Sequence, residues 1–165
     1  MSSIPFSIRA ATEADFEQLC DLFAELDDLH REARPDLFVK PAGLPRERAY
    51  VSGLIAGPES SILVASAKDS RYLYGFATLI VRRLPANPVR PERRLVEIDN
   101  FSVRMSARRC GIGRALIEHA DRWAARRGFS SVELAVHEFN TGAIDFYLAT
   151  GFSTSLRRMI RSPAQ

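Results

Sequence analysis

Residues 97–116 read EIDNFSVRMSARRCGIGRAL, a stretch in which a strand, a glycine turn and a helix follow one another without a break. The segment Leu95 to Arg104 reads as a strand, with Val103 as its aliphatic end. Gly111 and Gly113 mark the turn, and a helix is predicted from about Gly111 to Arg127, with Leu116, Ala120, Trp123 and Ala124 as its buried stripe and Gly128 as its C-terminal cap. The first N–H groups of such a helix have no partner within it and converge on one point, which suits a phosphate. Glycine lets an oxyanion approach the backbone, the helix dipole adds roughly half a positive charge, and Arg108, Arg109 and Arg114 add whole charges. A dinucleotide fingerprint needs a third Gly or Ala where Leu116 stands, and a Walker loop needs Gly-Lys-Ser/Thr, which the chain lacks. By itself the GxG is equally compatible with a simple chain reversal, so the weight falls on its surroundings.

Upstream, Ser7 to Ala10 reads as a short strand, and Thr12 with Asp15 three residues on resembles a capping box with Asp in place of Glu. A helix should follow, burying Phe16, Leu19, Phe23 and Leu26 at helical spacing. The stretch Arg31 to Pro45 is irregular, and a second helix is predicted from Arg46 to Ile55, stopped by Gly57 and Pro58. The segments Ser61 to Ala67 and Tyr72 to Arg82 flank the turn KDSR and read as an antiparallel hairpin. Residues Arg82 to Arg94 hold three prolines and five arginines, too many prolines for a central strand, and read as a flap. Downstream, Ser131 to His137 reads as a strand, Asn140 to Thr150 as a helix, and Phe152 to Ile160 as one or two final strands. The order βααβββαβαβ implies a single α/β (α+β) domain over 1–165, in three layers.

Composition narrows the function classes. The chain of 165 residues has 46% hydrophobic and 26% charged residues, ordinary for a soluble globular domain. Its longest uncharged apolar run, about Phe76 to Val81, is far short of the roughly 20 residues that span a bilayer, and Met1 to Ala11 has no export pattern. Two cysteines, Cys20 and Cys110, fit a reducing cytoplasm as the expected location. Despite a net charge of +3, the charges are segregated. Nine Asp or Glu stand against two Arg between Glu13 and Asp36, and seven Arg against two acids between Arg104 and Arg127. One region is expected to meet a cation and the other an anion. His30, His119 and His137 are not at metal-ligand spacing, so no metal is expected. Arg82 to Arg94 and the high isoelectric point suggest nucleic acid, but without aromatic interleaving such a partner is not the expected one.

The segment 97–116 resembles the main acetyl-CoA motif of the GNAT superfamily of N-acetyltransferases, Arg/Gln-x-x-Gly-x-Gly/Ala after a strand, here Arg108, Gly111 and Gly113 following Val103. A second stretch, NTGAIDFYLATGF, resembles the family's next motif through Asn140, Ala143, Phe146, Tyr147, Gly151 and Phe152. The resemblance implies a three-layer domain whose central mixed, mostly antiparallel sheet of about six or seven strands is flanked by about four helices. It implies that acetyl-CoA is the co-substrate, with the pyrophosphate on the amides of Arg108, Arg109, Cys110, Gly111, Ile112 and Gly113 and the charge of Arg114 nearby. The pantetheine arm would pair with Phe101, Ser102 and Val103 like an added strand, entering where the strands of Val103 and Val136 splay apart at a bulge. Asn140 and Phe146 belong to the same cofactor set. A homodimer is expected by analogy alone.

The chemistry needs a proton acceptor, because an alkyl amine with a pKa near 10.4 is mostly protonated at neutral pH. Glu97 and Asp99 lie two apart on the strand, project to one face, and can act directly or through water. Glu97 stands where several family members carry their general base and is ranked ahead of Asp99. Tyr147 is the candidate acid for the departing thiolate, and a backbone amide near Phe101 would meet the oxyanion. The acceptor is expected to be a cationic primary amine, such as a polyamine, an aminoglycoside-like amine, or a protein lysine or N-terminus. It would enter beside Asp27, Asp28, Glu32 and Asp36 and attack directly in a ternary complex. The alternative is a non-catalytic acyl-CoA-binding sensor, which would keep the turn without needing Glu97 or Tyr147.

Overall fold

The computed structural model describes residues 4–161, which form two compact units, 4–135 and 136–161. In the first, strands β1 (Phe6–Ala10), β2 (Ser60–Ala67), β3 (Leu73–Leu84), β4 (Arg93–Val103) and β5 (Val132–Leu134) lie in chain order in one sheet. The first four pair antiparallel, and β5 joins β4 in parallel. Three helices belong to this unit: α1 (Phe16–Ala33), α2 (Arg48–Ala56) and α3 (Ile112–Arg126).

Strand alternation separates two apolar faces. Ile62, Val64 and Phe76 join Phe16, Leu19, Phe23 and Val51 in one fully buried cluster beneath α1 and α2, with Phe23 and Phe76 edge to face at 4.6 Å. Their neighbours Leu63, Ala65 and Ala77 are buried outside that cluster, on the face met by α3, whose Leu116, Ala120, Trp123 and Ala124 are buried as the helical spacing predicts. Burying a Leu- or Phe-sized side chain contributes about 1.5–3 kcal/mol, so these two faces supply most of the drive to fold.

Local signals account for the ends of α1 and α3. Asp15 accepts from the Thr12 backbone N–H at 2.8 Å and from the Thr12 hydroxyl at 3.1 Å, and it is held by a two-point pair with Arg9 at 2.7 and 2.8 Å. That pair and the Thr12 bonds hold the Asp15 carboxyl below its ordinary range, against the opposing effect of burial. Gly128, at φ 76°, terminates α3 in a left-handed conformation that costs glycine nothing.

Three expectations are corrected. The flap is largely a continuation of the hairpin: β3 and β4 stay in register through Arg82–Leu95, Arg83–Arg94 and Leu84–Arg93, and all three prolines fall in the connection 85–92. Proline forbids a ladder hydrogen bond only where it stands, so the arginines on either side remain free to pair. The strand predicted over Ser131 to His137 is only Val132–Leu134. No strand forms between Phe152 and Ile160 among the described residues, which leaves five strands in place of six or seven. The apolar residues Leu156, Met159 and Ile160 of this segment are all exposed, so it buries no face that would hold it in a sheet.

The second unit contains α4 (Thr141–Ala149), capped at its start by Asn140, whose side-chain oxygen accepts from Ala143 N at 3.2 Å. It ends in a Schellman motif: Phe152 N–H reaches Tyr147 O at 3.0 Å and Gly151 N–H reaches Leu148 O at 3.1 Å, with Gly151 at φ 100°. The Phe152 ring folds back against Tyr147 at 5.7 Å. This end explains why ATGF closes the second sequence motif, since the glycine supplies the left-handed residue and the phenylalanine the apolar contact that accompanies it.

Candidate active site

The strand–turn–helix order expected here is present, and the turn between β4 and α3 adds one feature. A short 3-10 turn, Met105–Ala107, leads out of β4, and Arg108 Nε donates to Val103 O at 3.0 Å across it. Gly111 is the N-cap of α3 at φ 83°, and Arg109, two residues earlier, is also left-handed at φ 63°. A non-glycine residue in that region carries strain and is characteristic of ligand-gripping turns. Ala115 N–H is bonded to Gly111 O at 3.0 Å, so the amides of Ile112, Gly113 and Arg114 precede it in the first turn and lie at the positive end of the helix. A Cβ built on Gly111 meets no atom within 4 Å. Together, left-handed Gly111 and the start of α3 turn successive amides toward one concavity, the geometry of an anion nest.

Beside this turn, β4 outruns its parallel neighbour. The β4–β5 ladder ends at Ile98–Leu134, while β4 continues to Val103, so Phe101, Ser102 and Val103 lie beyond the last pair with β5. On its other edge β4 is bulged. Ile98 opposes Leu79 and Asn100 opposes Thr78, which makes Asp99 the extra residue. The Asn100 amide is fixed on the Thr78 hydroxyl at 2.8 Å, and Asn100 Nδ2 donates to Asp99 Oδ2 at 2.6 Å.

Glu97 and Asp99 share one face, as expected, and both reach the guanidinium of Arg82 from β3. Arg82 Nε donates to Glu97, and Arg82 Nη2 lies 3.5 Å from Asp99 Oδ1. The two carboxylates are 28% and 29% exposed, open enough for a substrate to reach and covered enough for charge to count. Tyr50 of α2 stands over the same group. Burial first, and then the charge of Asp99, push its phenol up, with Arg46 and Arg82 acting the other way. Neither Arg82 nor Tyr50 was recognisable from sequence as a site residue. Arg82 sits in the arginine-rich hairpin, and Tyr50 is one position away from the buried stripe of a short helix.

The acidic stretch is answered from within the chain. Seven of its nine carboxylates take part in ion pairs: Asp15, Glu17, Asp21, Glu25, Asp27, Asp28 and Asp36. Of the four proposed to receive a cation, Asp27 has a two-point bond with Arg46 at 2.8 and 3.1 Å, Asp28 pairs with Arg31 and Asp36 with Arg34. The stretch is therefore far less anionic than its composition suggests. His30 and His119 point Nδ1 at carbonyls of their own helices, each at 2.8 Å. Cys110 is half-buried in the turn, with Sγ 3.5 Å from Arg108 O.

In the second unit, Tyr147 lies between Phe146 and Phe152, with ring centroids 5.4 and 5.7 Å away. Burial pushes its phenol up to about 12, so it holds its proton throughout the neutral range.

Residues 21–152 match the model of the Acetyltransferase (GNAT) family. The chain belongs to that family. Among similar proteins, the aminoglycoside N(6')-acetyltransferase type 1 of Klebsiella aerogenes is 32% identical over 69% of this chain and 73% of its own length. N-acetyltransferase family 8 member 3 of Rattus norvegicus is 33% identical over 44% of this chain, an alignment that spans only 32% of the rat protein. In fold, a Bacillus halodurans protein superposes with a TM-score of 0.90 at 23% identity, covering 96% of this chain and 99% of that one. An aminoglycoside N-acetyltransferase in complex with CoA superposes with a TM-score of 0.71 at 18% identity, covering 96% and 100%. The GNAT fold expected from the two motifs is therefore present, with the shorter sheet already described. Among the described residues, no helix is long and apolar enough to cross a membrane, and no group of three or more His, Cys, Asp or Glu could hold a metal ion.

Proposed function

We propose that this GNAT acetyltransferase transfers the acetyl group of acetyl-CoA to a primary amine by direct attack in a ternary complex, with residues 1–165 acting as one cytoplasmic catalytic domain. The observation that carries the reading is the strand–turn–helix at 93–126, in which an anion nest sits at the end of a strand that also presents two carboxylates at a bulge. Arg108 to Gly113 bind the pyrophosphate through backbone amides, supported by the charge of Arg114, and Phe101, Ser102 and Val103 bind the pantetheine arm. Asn140 uses its carboxamide oxygen on α4 and offers its nitrogen to a pantetheine carbonyl, with Phe146 on the same helix.

The acceptor arrives as an ammonium ion and must lose a proton before its lone pair can attack the thioester carbon. Glu97 takes that proton through water, and Asp99 holds the nitrogen. The resulting tetrahedral oxyanion is stabilised by a backbone amide near Phe101. On collapse, the C–S bond breaks and the sulfur leaves with the electron pair. Tyr147, whose phenol stays protonated in the neutral range, donates the proton that makes free CoA thiol and is reprotonated from water, while the nitrogen, still cationic after its attack, releases its second proton to water to leave the neutral amide.

The test is thiol release from acetyl-CoA across a panel of a polyamine, an aminoglycoside, a lysine peptide and simple alkylamines. Acceleration above hydrolysis by at least one amine is the expected result. Tight acetyl-CoA binding by calorimetry with no acceleration by any amine would replace the enzyme with an acyl-CoA sensor. Sedimentation of the purified chain decides the proposed homodimer.

A further inference from the structure

Around the proposed attacking nitrogen, the charges on the first unit can be counted. Glu97 and Asp99 contribute two negative charges and Arg82 one positive charge that reaches both. Asp27 and Arg46, whose charge is also felt at Tyr50, cancel in a two-point pair. Among these five groups one net negative charge remains, nearest Asp99, since Arg82 donates directly to Glu97 and is 3.5 Å from Asp99. A single ammonium ion balances that charge. A second ammonium nearby would face Arg82 and Arg46 with no uncompensated carboxylate among these groups, and two like charges a few ångströms apart repel by roughly 1 kcal/mol or more even in a water-like medium.

We infer that Arg82 determines acceptor specificity: by answering Glu97 it leaves the site one negative charge short of holding a polycation, so the preferred acceptor is an amine carrying a single positive charge. This rests on the acetyl-transfer reading for its biological sense, but not for its measurement. It also separates this chain from a polycation-modifying enzyme with the same fold. Arg82 touches neither acetyl-CoA nor the reacting atoms in this scheme; it acts by setting the charge available to the acceptor.

The probes are 1-aminobutane and 1,4-diaminobutane, which share a carbon chain and differ by one charge. Turnover is read as thiol release from acetyl-CoA, and binding as NMR shift titration of each amine onto the CoA-saturated enzyme. The wild type is expected to favour the monoamine, or to treat the two equally once the diamine's two ends are counted. Arg82→Gln should shift the diamine-to-monoamine ratio of kcat/KM, and of affinity, toward the diamine by about tenfold, the scale of one unit charge in partly screened surroundings. Arg82→Lys keeps the charge and should keep the wild-type ratio. A tenfold wild-type preference for the diamine, an Arg82→Gln ratio within twofold of wild type, or Arg82→Lys behaving like Arg82→Gln would each overturn the inference. The two readings fail separately. If binding ratios shift as expected but no amine is acetylated, the charge count stands and acetyl transfer falls. If amines are acetylated but neither ratio moves, the enzyme stands and the role of Arg82 falls.

Discussion

Gly111→Ala gives the sharpest test of the phosphate turn, because its two expected effects have different causes. Gly111 sits at φ 83°, where an L-residue costs about 1–2 kcal/mol. Since a Cβ there meets nothing within 4 Å, no steric term adds to that cost in the unliganded protein. A loss of that size lowers Tm by roughly 2–8 °C in a chain of this length. The methyl group also stands where an oxyanion would approach the amides at the start of α3, and losing one charge-assisted hydrogen bond costs about 1.5–3 kcal/mol, or about tenfold to 150-fold in Kd. Gly128→Ala is the control, because φ 76° and open space give it the same backbone cost far from the turn. Calorimetric melting and titration with CoA should show matched losses of Tm in the two variants and a loss of CoA affinity in Gly111→Ala alone. If both variants bind CoA as tightly as wild type, the turn only reverses the chain and the assignment of the pyrophosphate is refuted.

Tyr147→Phe should lower kcat well beyond any change in acetyl-CoA affinity, and equal losses in both would remove its acid role. Because burial holds the phenol up at about 12, the wild-type kcat should show no fall due to Tyr147 ionisation between about pH 6 and 10; such a fall, absent from Tyr147→Phe, would contradict the buried environment. Asp99→Asn should act mainly on KM for the amine and Glu97→Gln mainly on kcat, as steady-state kinetics with one amine can show; the reverse pattern would exchange their roles. The Asp15 carboxyl is depressed on folding, so its contribution is fully present above its unfolded value near 3.9 and is lost as pH falls through the lower folded value. Asp15→Asn should therefore cost about 1–3 kcal/mol at neutral pH and progressively less in acid, measured by urea unfolding at several pH values; a cost independent of pH would assign the effect to packing.

What could be read from the sequence was local in origin. The capping residues Thr12 and Asp15, the turn glycine at 111, the capping glycine at 128 and the stripe of α3 depend on neighbours within a few positions, and each lies where its pattern places it. Arg82 and Tyr50 became visible only when the sheet set β3 beside β4 and folding brought Tyr50 near Asp99 and Arg82, across 15 or more positions of chain. The acidic stretch misled for the same reason, since its neutralising partners Arg46, Arg48 and Arg104 lie 19, 31 and 79 residues away from Asp27, Glu17 and Glu25. Composition counts charge, and only folding pairs it. The end of the hairpin differs for another reason: proline content over thirteen positions suggests a flap, whereas the effect of proline is confined to the connection 85–92.

The bulge at Asp99 divides β4 into two reading frames. Up to Ile98 and again from Asn100 the strand alternates against β3, but the extra residue changes which parity faces which side. Glu97, Asp99 and Asn100 can therefore gather on one surface, while the following residues resume the alternate frame. Lineages of this protein should tolerate length changes in the connection 85–92, where a residue more or less moves only the tip of a ribbon. A single insertion or deletion between Ile98 and Val103 would instead exchange the inward and outward side chains of the rest of β4, and would misplace the edge of the strand before any catalytic group was altered.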